Sequence, residues 1–525
     1  MSAGPKDFDY MNNTFTQYNQ HTKDDYGLEL DAAKELEDYQ ESKWHRDGFY
    51  NNGIDDMAYN SENEYSSEEK SLVRKIDWML MPIICTLDFL QFLDKSTINY
   101  AALMGFKEDI GLVGSQYSLL GSLFYLGYLV FQLPNNYLLQ RIPIGKYIGI
   151  IVVIWGTILL CTAWGHNFSQ VAALRFLLGF FEAGIYPSLT LLVSTFYRRS
   201  EQVARLGAFW ICNGFALVVG GLIAYGISHM TNIGGLKAWQ WVMIILGGCT
   251  ILVGITAFFF LIDSPKAQAL QLNAEQEMLV EERTRDNATV RTTEIKYEQI
   301  LEAIKEVRFW CFCFACLFIN LQNGAMTIYN GQIAASFGFD QLQSMLLSTG
   351  TGGSTILFIV IGIVLVQKYH QTIYTACFLM CFDVLGLLLL LVIPMDKAKI
   401  LGFFLSWSYV AVYVLMVTCI SNNVTGYTKK IFYNGILMIF YTIGNFVGPL
   451  MMTSPPYLAG MIGYLVAGVL VISLLLIARW RMAVVNRRRL LLLNNSTANS
   501  MAAVAHNYDL DDISDEQDQT FIYLL

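Results

Sequence analysis

Residues 87–95 read Leu87-Asp-Phe-Leu-Gln-Phe-Leu-Asp-Lys95, and they set Asp88, Asp94 and Lys95 inside an apolar run from about Asp77 to Asn99. Roughly 20 such residues cross a bilayer as a helix. A charge at bilayer depth costs from about 2.5 kcal/mol upward. Charged groups in such a helix therefore face a protein interior or a water-filled path and find a partner there. The run reads as one half of a binding and proton site. The other half is expected at Arg175 and Glu182, in a second apolar run.

The composition extends that reading from one helix to the whole chain. Of 525 residues, 54% are hydrophobic and 15% charged, which points to a polytopic membrane protein and not to a globular enzyme with one anchor. The net charge of −9 is not a surface average, because seventeen acidic residues against six basic ones fall before Ser71. That segment is too poor in apolar residues to build a core. It also lacks the apolar centre of a cleavable signal peptide, so the first spanning helix is expected to act as its own insertion signal. All ten cysteines fall in apolar runs. Cys311-x-Cys-x-x-Cys316 has a metal-like spacing, but no His or carboxylate accompanies it, and packing is the simpler account.

Twelve apolar segments of spanning length follow, near 77–99, 116–139, 147–164, 171–192, 205–228, 240–262, 308–333, 342–366, 371–393, 399–420, 431–451 and 459–480. One set of loops carries Arg141, Lys146, Arg198, Arg199, Arg205, Lys368, Lys429, Lys430 and the cations of Arg479 to Arg489; the opposite set holds Lys107, Lys237, Lys397 and Lys399. Cytosolic loops retain the positive excess, so both termini are expected in the cytosol. The longest internal polar segment divides the helices six and six. It contains a charged helical run at Glu275–Arg285 and an amphipathic stretch at Tyr297–Lys305. The expected organisation is a disordered acidic cytosolic tail at 1–73, a six-helix half at 74–263, a cytosolic linker at 264–307, a second six-helix half at 308–482, and a second disordered cytosolic tail at 483–525. The fold class is an all-α membrane protein with the twelve-helix major facilitator arrangement, in which two repeated halves flank a midplane site.

Depth sorts the charges. With about 1.5 Å of rise per residue, Asp94 and Lys95 lie about 9 Å nearer the outside than Asp88, and Arg175 lies about 10 Å outward of Glu182 on the antiparallel fourth helix. Asp94, Lys95 and Arg175 share an outer level; Asp88 and Glu182 share a middle one. Asp88 and Lys95, seven residues apart, share a helix face, as do Arg175 and Glu182. Asp94 points away toward Arg175, with which a locked ion pair is the structural alternative, while Lys95 faces the cavity. No cation is visible at the level of Glu182, and Asp383 in the ninth helix has no visible partner. A carboxylate in a low-dielectric site takes up a proton more readily than one in water, and a cation there binds the carboxylate of a substrate. Asp94, Glu182 and Asp88 are thus the proton-coupling candidates, and Lys95 and Arg175 the anion-binding ones. The second half offers neutral groups: Asn320, Gln322, Asn323, Tyr329 and Asn330 on the seventh helix, and Ser406, Tyr409 and Tyr413 on the tenth. Asn323 and Asn330 share a face. With Tyr409 they are candidates for reading the far end of a substrate. The small-residue runs Gly220–Gly226 and Gly444–Pro449 read as close helix packing.

Phe92-Leu-Asp-Lys-Ser-Thr-Ile-Asn-Tyr-Ala-Ala-Leu-Met-Gly105 and Ala173-Leu-Arg-Phe-Leu-Leu-Gly-Phe-Phe-Glu-Ala-Gly184 resemble the first- and fourth-helix signatures of the anion:cation symporter family of the major facilitator superfamily, in its fungal allantoate permease branch. Thr425-Gly-Tyr-Thr-Lys-Lys430 and the ending Phe521-Ile-Tyr-Leu-Leu525 are similar to those of yeast allantoate and cysteine permeases. The resemblance implies that Asp94 and Glu182 couple to protons and that the first-helix cation, here Lys95, engages the substrate carboxylate. The fourth-helix arginine of the family matches Arg175. Where the family often has arginine, Lys95 presents a point charge and not a planar fork.

The combined expectation is a proton-driven importer of a small organic anion or amino-acid-like carboxylate at a fungal plasma membrane, working by alternating access. Substrates of the branch include ureido acids such as allantoate, cysteine and vitamin carboxylates. The expected partners are that small molecule, protons and the lipid bilayer, with no nucleic acid and no cofactor beyond the proton gradient, and the expected state is a monomer. A nutrient receptor signalling through its tails is the alternative, motivated by the long acidic segment Met1–Lys70. Drug efflux sits poorly with the charged outer level. An enzyme is not expected, since the histidines are scattered without a nucleophile partner.

Overall fold

The computed structural model describes residues 67–263 except 140, 198, 231 and 232, then 270–273, 275–280, 296–495 except 395, 454 and 456, and finally 514–518 and 521–525. The expectations for residues 1–66 and 281–285 lie outside the described residues. Among the described residues there are helices, turns and irregular segments, with no strand. A chain in lipid must satisfy its backbone hydrogen bonds within each segment, which is why long apolar runs become helices.

Eleven helices are long and apolar enough to cross a bilayer, and Gln116–Leu139, 24 residues long, makes the twelfth. The first is Ser67–Leu103, followed by Gln116–Leu139, Ile144–Thr162, Phe168–Val193, Arg199–Ser228 and Ala238–Phe260. The seventh to twelfth are Val307–Ser336, Gln341–Tyr369, Thr372–Val392, Asp396–Asn423, Tyr427–Leu450 and Leu458–Asn495. Two spans are interrupted. The fourth breaks at Ala183-Gly184, where the Phe168–Glu182 helix ends just past Glu182 and a second begins at Ile185. The tenth passes through two short 3-10 turns before Tyr409–Asn423.

From Arg74 onward the described residues form a single packed unit. In it the third span packs on the sixth, the second on the fourth, the seventh on the eleventh and twelfth, and the ninth on the twelfth. The fifth meets the eighth, and the second meets the eleventh. Glycines set the closest approaches. A Cβ on Gly127 or Gly179 would collide with backbone of the partner helix at Phe176 or Phe124, and one on Gly448 with the carbonyl of Leu321. Side-chain-free crossings of this kind let backbones touch, as the run Gly444–Pro449 suggested.

The end of the chain departs from expectation. The twelfth helix continues to Asn495, well past the expected end near 480, because the Arg and Leu residues that follow Arg479 are good helix formers. Residues 514–518 and 521–525 are packed instead of loose, with Asp515 fully buried and Tyr523 6% exposed. The linker contributes the expected helix Tyr297–Lys305, and residues 275–280 are helical.

Candidate functional site

A cavity of about 750 Å³ lies between the spans, lined by the first, second, fourth, fifth, seventh, eighth, tenth and eleventh. On one side its wall carries Asp88 and Lys95, which point the same way because seven residues make nearly two turns. Gln91 fills the intervening turn. The facing wall is neutral: Asn320, Asn323, Tyr409, Tyr413 and Tyr441. Most of the lining is apolar or aromatic with a few polar groups, the usual make-up of a small-molecule site.

Lys95 is the hinge of the charged side. Its Nζ lies 3.6 Å from Oε1 of Glu182, with the lysine side chain 15% exposed and the glutamate fully buried. Glu182 therefore has a cation, contrary to the depth argument. A long lysine side chain crosses from the outer level to the middle one, which a count of helical rise does not include. The Lys95 ammonium also stands 5.5 Å from the Phe124 ring. Asp88 is 2% exposed, and its Oδ2 has no hydrogen-bond partner.

Asp94 and Arg175 lie behind this wall and do not line the cavity. Asp94 is fully buried and accepts a 2.7 Å hydrogen bond from Thr250 Oγ1 of the sixth span. Arg175 donates from Nη2 to Thr97 Oγ1 at 3.3 Å. The locked Asp94–Arg175 pair is thus not formed: each group instead has a threonine partner, Thr250 of the sixth span for Asp94 and Thr97 of the first for Arg175. Asp383 also has a partner, accepting from Gln322 Nε2 at 2.7 Å, and the same amide reaches the carbonyl of Ser406.

The neutral wall is a connected amide chain. Tyr409 OH donates to Asn323 Oδ1 at 3.2 Å, Asn323 Nδ2 to Asn445 Oδ1 at 2.8 Å, and Asn445 Nδ2 to Asn320 Oδ1 at 3.0 Å. Tyr409 and Asn323 so hold each other in place at the cavity surface. Asn330 does not reach the cavity; it donates to Thr351 Oγ1 of the eighth span at 3.0 Å. Sequence reading passed over Tyr128, Gln132, Tyr186 and Tyr441, all in the lining. Tyr128 and Gln132 stand four apart on one helix face, the same spacing that singled out Tyr409 and Tyr413.

The two ends of the cavity differ. Toward Lys430 its wall includes Lys430 and Ser421, both exposed, so this end is open. Toward Asn99 the spans close. Asn99 Oδ1 accepts from Gly331 N at 2.9 Å, Tyr117 OH donates to the Ile328 carbonyl at 2.9 Å, and the hydroxyls of Ser118 and Tyr329 meet at 2.6 Å. Each of these bonds joins the first or second span to the seventh.

Residues 84–449 match the family model described as Major Facilitator Superfamily. An uncharacterized transporter of Schizosaccharomyces pombe is 32% identical over 87% of this chain and 90% of its own length. A thiamine pathway transporter of Saccharomyces cerevisiae is 31% identical over 79% of this chain and 80% of its own length. The allantoate permease of the same yeast is 28% identical over 87% of each. Among solved structures, a bacterial homologue of the human lysosomal transporter Spinster, inward-facing and occupied, aligns with TM-score 0.60 at 13% identity, covering 79% of this chain and 98% of its own. A D-xylose-proton symporter aligns at TM-score 0.57 and 12% identity, covering 75% of this chain and 95% of its own.

Proposed function

The chain belongs to the major facilitator superfamily and is a multi-pass membrane transporter of a small molecule, not an enzyme, and from that premise we propose that it imports a small organic anion or amino-acid-like carboxylate together with protons. The observation that carries the proposal is the Lys95–Glu182 contact, with the cation at the cavity surface and the carboxylate buried behind it. A substrate carboxylate that reaches Lys95 competes with Glu182 for the ammonium. Once it loses that partner, Glu182 is a buried carboxylate without compensation, and protonation relieves the cost. Anion and proton therefore favour each other's binding, and the pair moves with no added net charge.

Asp88 stands on the same helix face as Lys95, as a second proton acceptor in the cavity wall. Asp94 is the third, a closed carboxylate held by Thr250, and Arg175 supports the region from behind. Asn323 and Tyr409, fixed by their amide chain, read the far end of the substrate, and Asn330 positions the seventh span against the eighth. Residues 74–263 and 308–482 act as two halves that rock about this site. In this reading the Lys430 end faces the cytosol, both termini are cytosolic, the membrane is the plasma membrane, and the protein works as a monomer. The allantoate permease relative supports a carboxylate cargo.

The test uses purified protein in vesicles with an imposed inward proton gradient and a panel of radiolabelled carboxylates. Glu182→Gln is expected to abolish uphill accumulation of the carried compound while exchange of internal for external substrate continues. Full accumulation by this variant would remove Glu182 from the coupling role. Binding without accumulation by the unmodified chain would favour the receptor alternative.

A further inference from the structure

The last residues of the chain are held as a ligand is held. Asn486 of the twelfth span takes both backbone groups of Tyr523: its Nδ2 donates to the Tyr523 carbonyl at 2.9 Å, and its Oδ1 accepts from Tyr523 N at 2.9 Å. Asn423, at the end of the tenth span, does the same for Leu524, at 2.8 and 2.7 Å. The carbonyl of Leu525 accepts from Thr372 N at 2.9 Å. A side-chain amide that pairs with both N–H and C=O of one residue mimics a neighbouring strand, the way peptide-binding domains read backbone. Both asparagines are buried, at 1% and 3% exposure.

Side chains add a second layer. Asp515 pairs with Arg308 and, at 3.0 Å, with Lys429. Tyr523 OH donates to Asp515 Oδ2 at 2.7 Å, and its ring lies 4.3 Å from the Arg308 guanidinium and 5.0 Å from that of Arg489. Ser514 Oγ donates to Glu302 of the linker helix at 2.7 Å. Lys429 also pairs with Glu302 and Glu306, so its ammonium fills the acidic cluster.

We propose that the Lys429 end of spans seven, ten, eleven and twelve is a peptide-binding site and that residues 514–518 and 521–525 are its resident ligand, acidic and aromatic residues read by Asn423, Asn486, Arg308 and Arg489. The site is separate from the transport cavity but adjoins it. Asn423 precedes Val424, and Lys429 precedes Lys430, and both followers line the cavity mouth. Occupancy of the peptide site thus ties the linker helix to the ends of the helices that frame the mouth. Burial alone would push the Asp515 carboxyl up, but Arg308 and Lys429 outweigh it and hold it below the usual carboxylate range, so it docks as an anion.

The test titrates a fluorescent synthetic peptide of sequence 514–525 onto two purified proteins in lipid nanodiscs: the full chain and a version ending at residue 513. Saturable binding is expected to the shortened chain and at least ten-fold weaker binding to the full chain, whose own tethered segment competes. Asn486→Ala in the shortened chain should weaken binding at least ten-fold. So should phosphoserine at position 514 of the peptide, which would set a phosphate against Glu302. Equal binding to both proteins, or none to either, overturns the proposal. Should the shortened chain not fold, hydrogen exchange on the full chain decides. Tyr523 and Leu524 amides are expected to be protected, and to lose protection in Asn486→Ala and Asn423→Ala respectively; exchange at free-peptide rates would equally overturn it.

Discussion

In the proposed cycle Lys95 would serve two anions in turn, Glu182 and the substrate. It reaches Glu182 at 3.6 Å while staying 15% exposed to the cavity, so a substrate carboxylate can approach the same ammonium from the open side. Lys95→Ala should weaken binding of the carried anion by roughly 1.5–3 kcal/mol, the worth of a charged hydrogen bond, read as a ten-fold or greater rise in the concentration for half-maximal uptake. An unchanged value would place the anion elsewhere. The identity of the charged residues was legible in the sequence because burial of charge in lipid is costly enough to make each one conspicuous. Their pairings were not. Helical rise locates backbones, whereas the Lys95 side chain spans the gap between levels and Thr250 and Thr97 supply hydrogen bonds that no charge pattern announces. Tyr128, Tyr186 and Tyr441 escaped notice for a different reason: an aromatic residue on a spanning helix reads equally well as core, lipid contact or cavity wall.

At the scale of the helix, the second and fourth spans hold the charged side of the cavity in register. Gly179 lies between Arg175 and Glu182 on the fourth span, and the backbone of Phe124 occupies the place its side chain would take. Phe124 is also the ring against which Lys95 rests. A bulky side chain at 179 must push these two helices apart and draw Glu182 away from Lys95. Gly179→Leu is expected to lower the thermal unfolding midpoint by several degrees, overpacking of a tight contact costing about 1–3 kcal/mol, and to reduce uptake far more than Gly248→Leu, since a Cβ at Gly248 meets nothing. Equal effects at both positions would show that the crossing does not set the site. The spans themselves could be read from the sequence because length and apolarity are what a bilayer demands. The breaks in the fourth and tenth could not, since Ala183-Gly184 and Ser406-Trp-Ser408 are compatible with an unbroken helix. The docked tail was missed because its hold depends on residues from several distant spans, and a short polar segment carries no periodicity of its own.

For the whole molecule, the two ends of the cavity differ, and in the proposed alternating-access cycle that difference would mark one of its states. Exposed Ser421 and Lys430 frame one end, while Asn99, Tyr117 and Ser118 seal the other against Gly331, Ile328 and Tyr329. A transporter with one midplane site must break the seal to load from that side. The Asn99–Gly331 contact is the best place to test it, because backbone N–H and side-chain oxygen already touch at 2.9 Å. In a chain cleared of its ten native cysteines, Asn99→Cys combined with Gly331→Cys should be bridged by a short thiol-specific cross-linker. Bridging locks the sealed end and is expected to reduce uptake at least ten-fold, with recovery on reduction. Either cysteine alone should leave uptake insensitive to the reagent. Continued uptake by the bridged protein would mean that substrate never passes through this end, and that the seal is part of the fixed frame and not a gate.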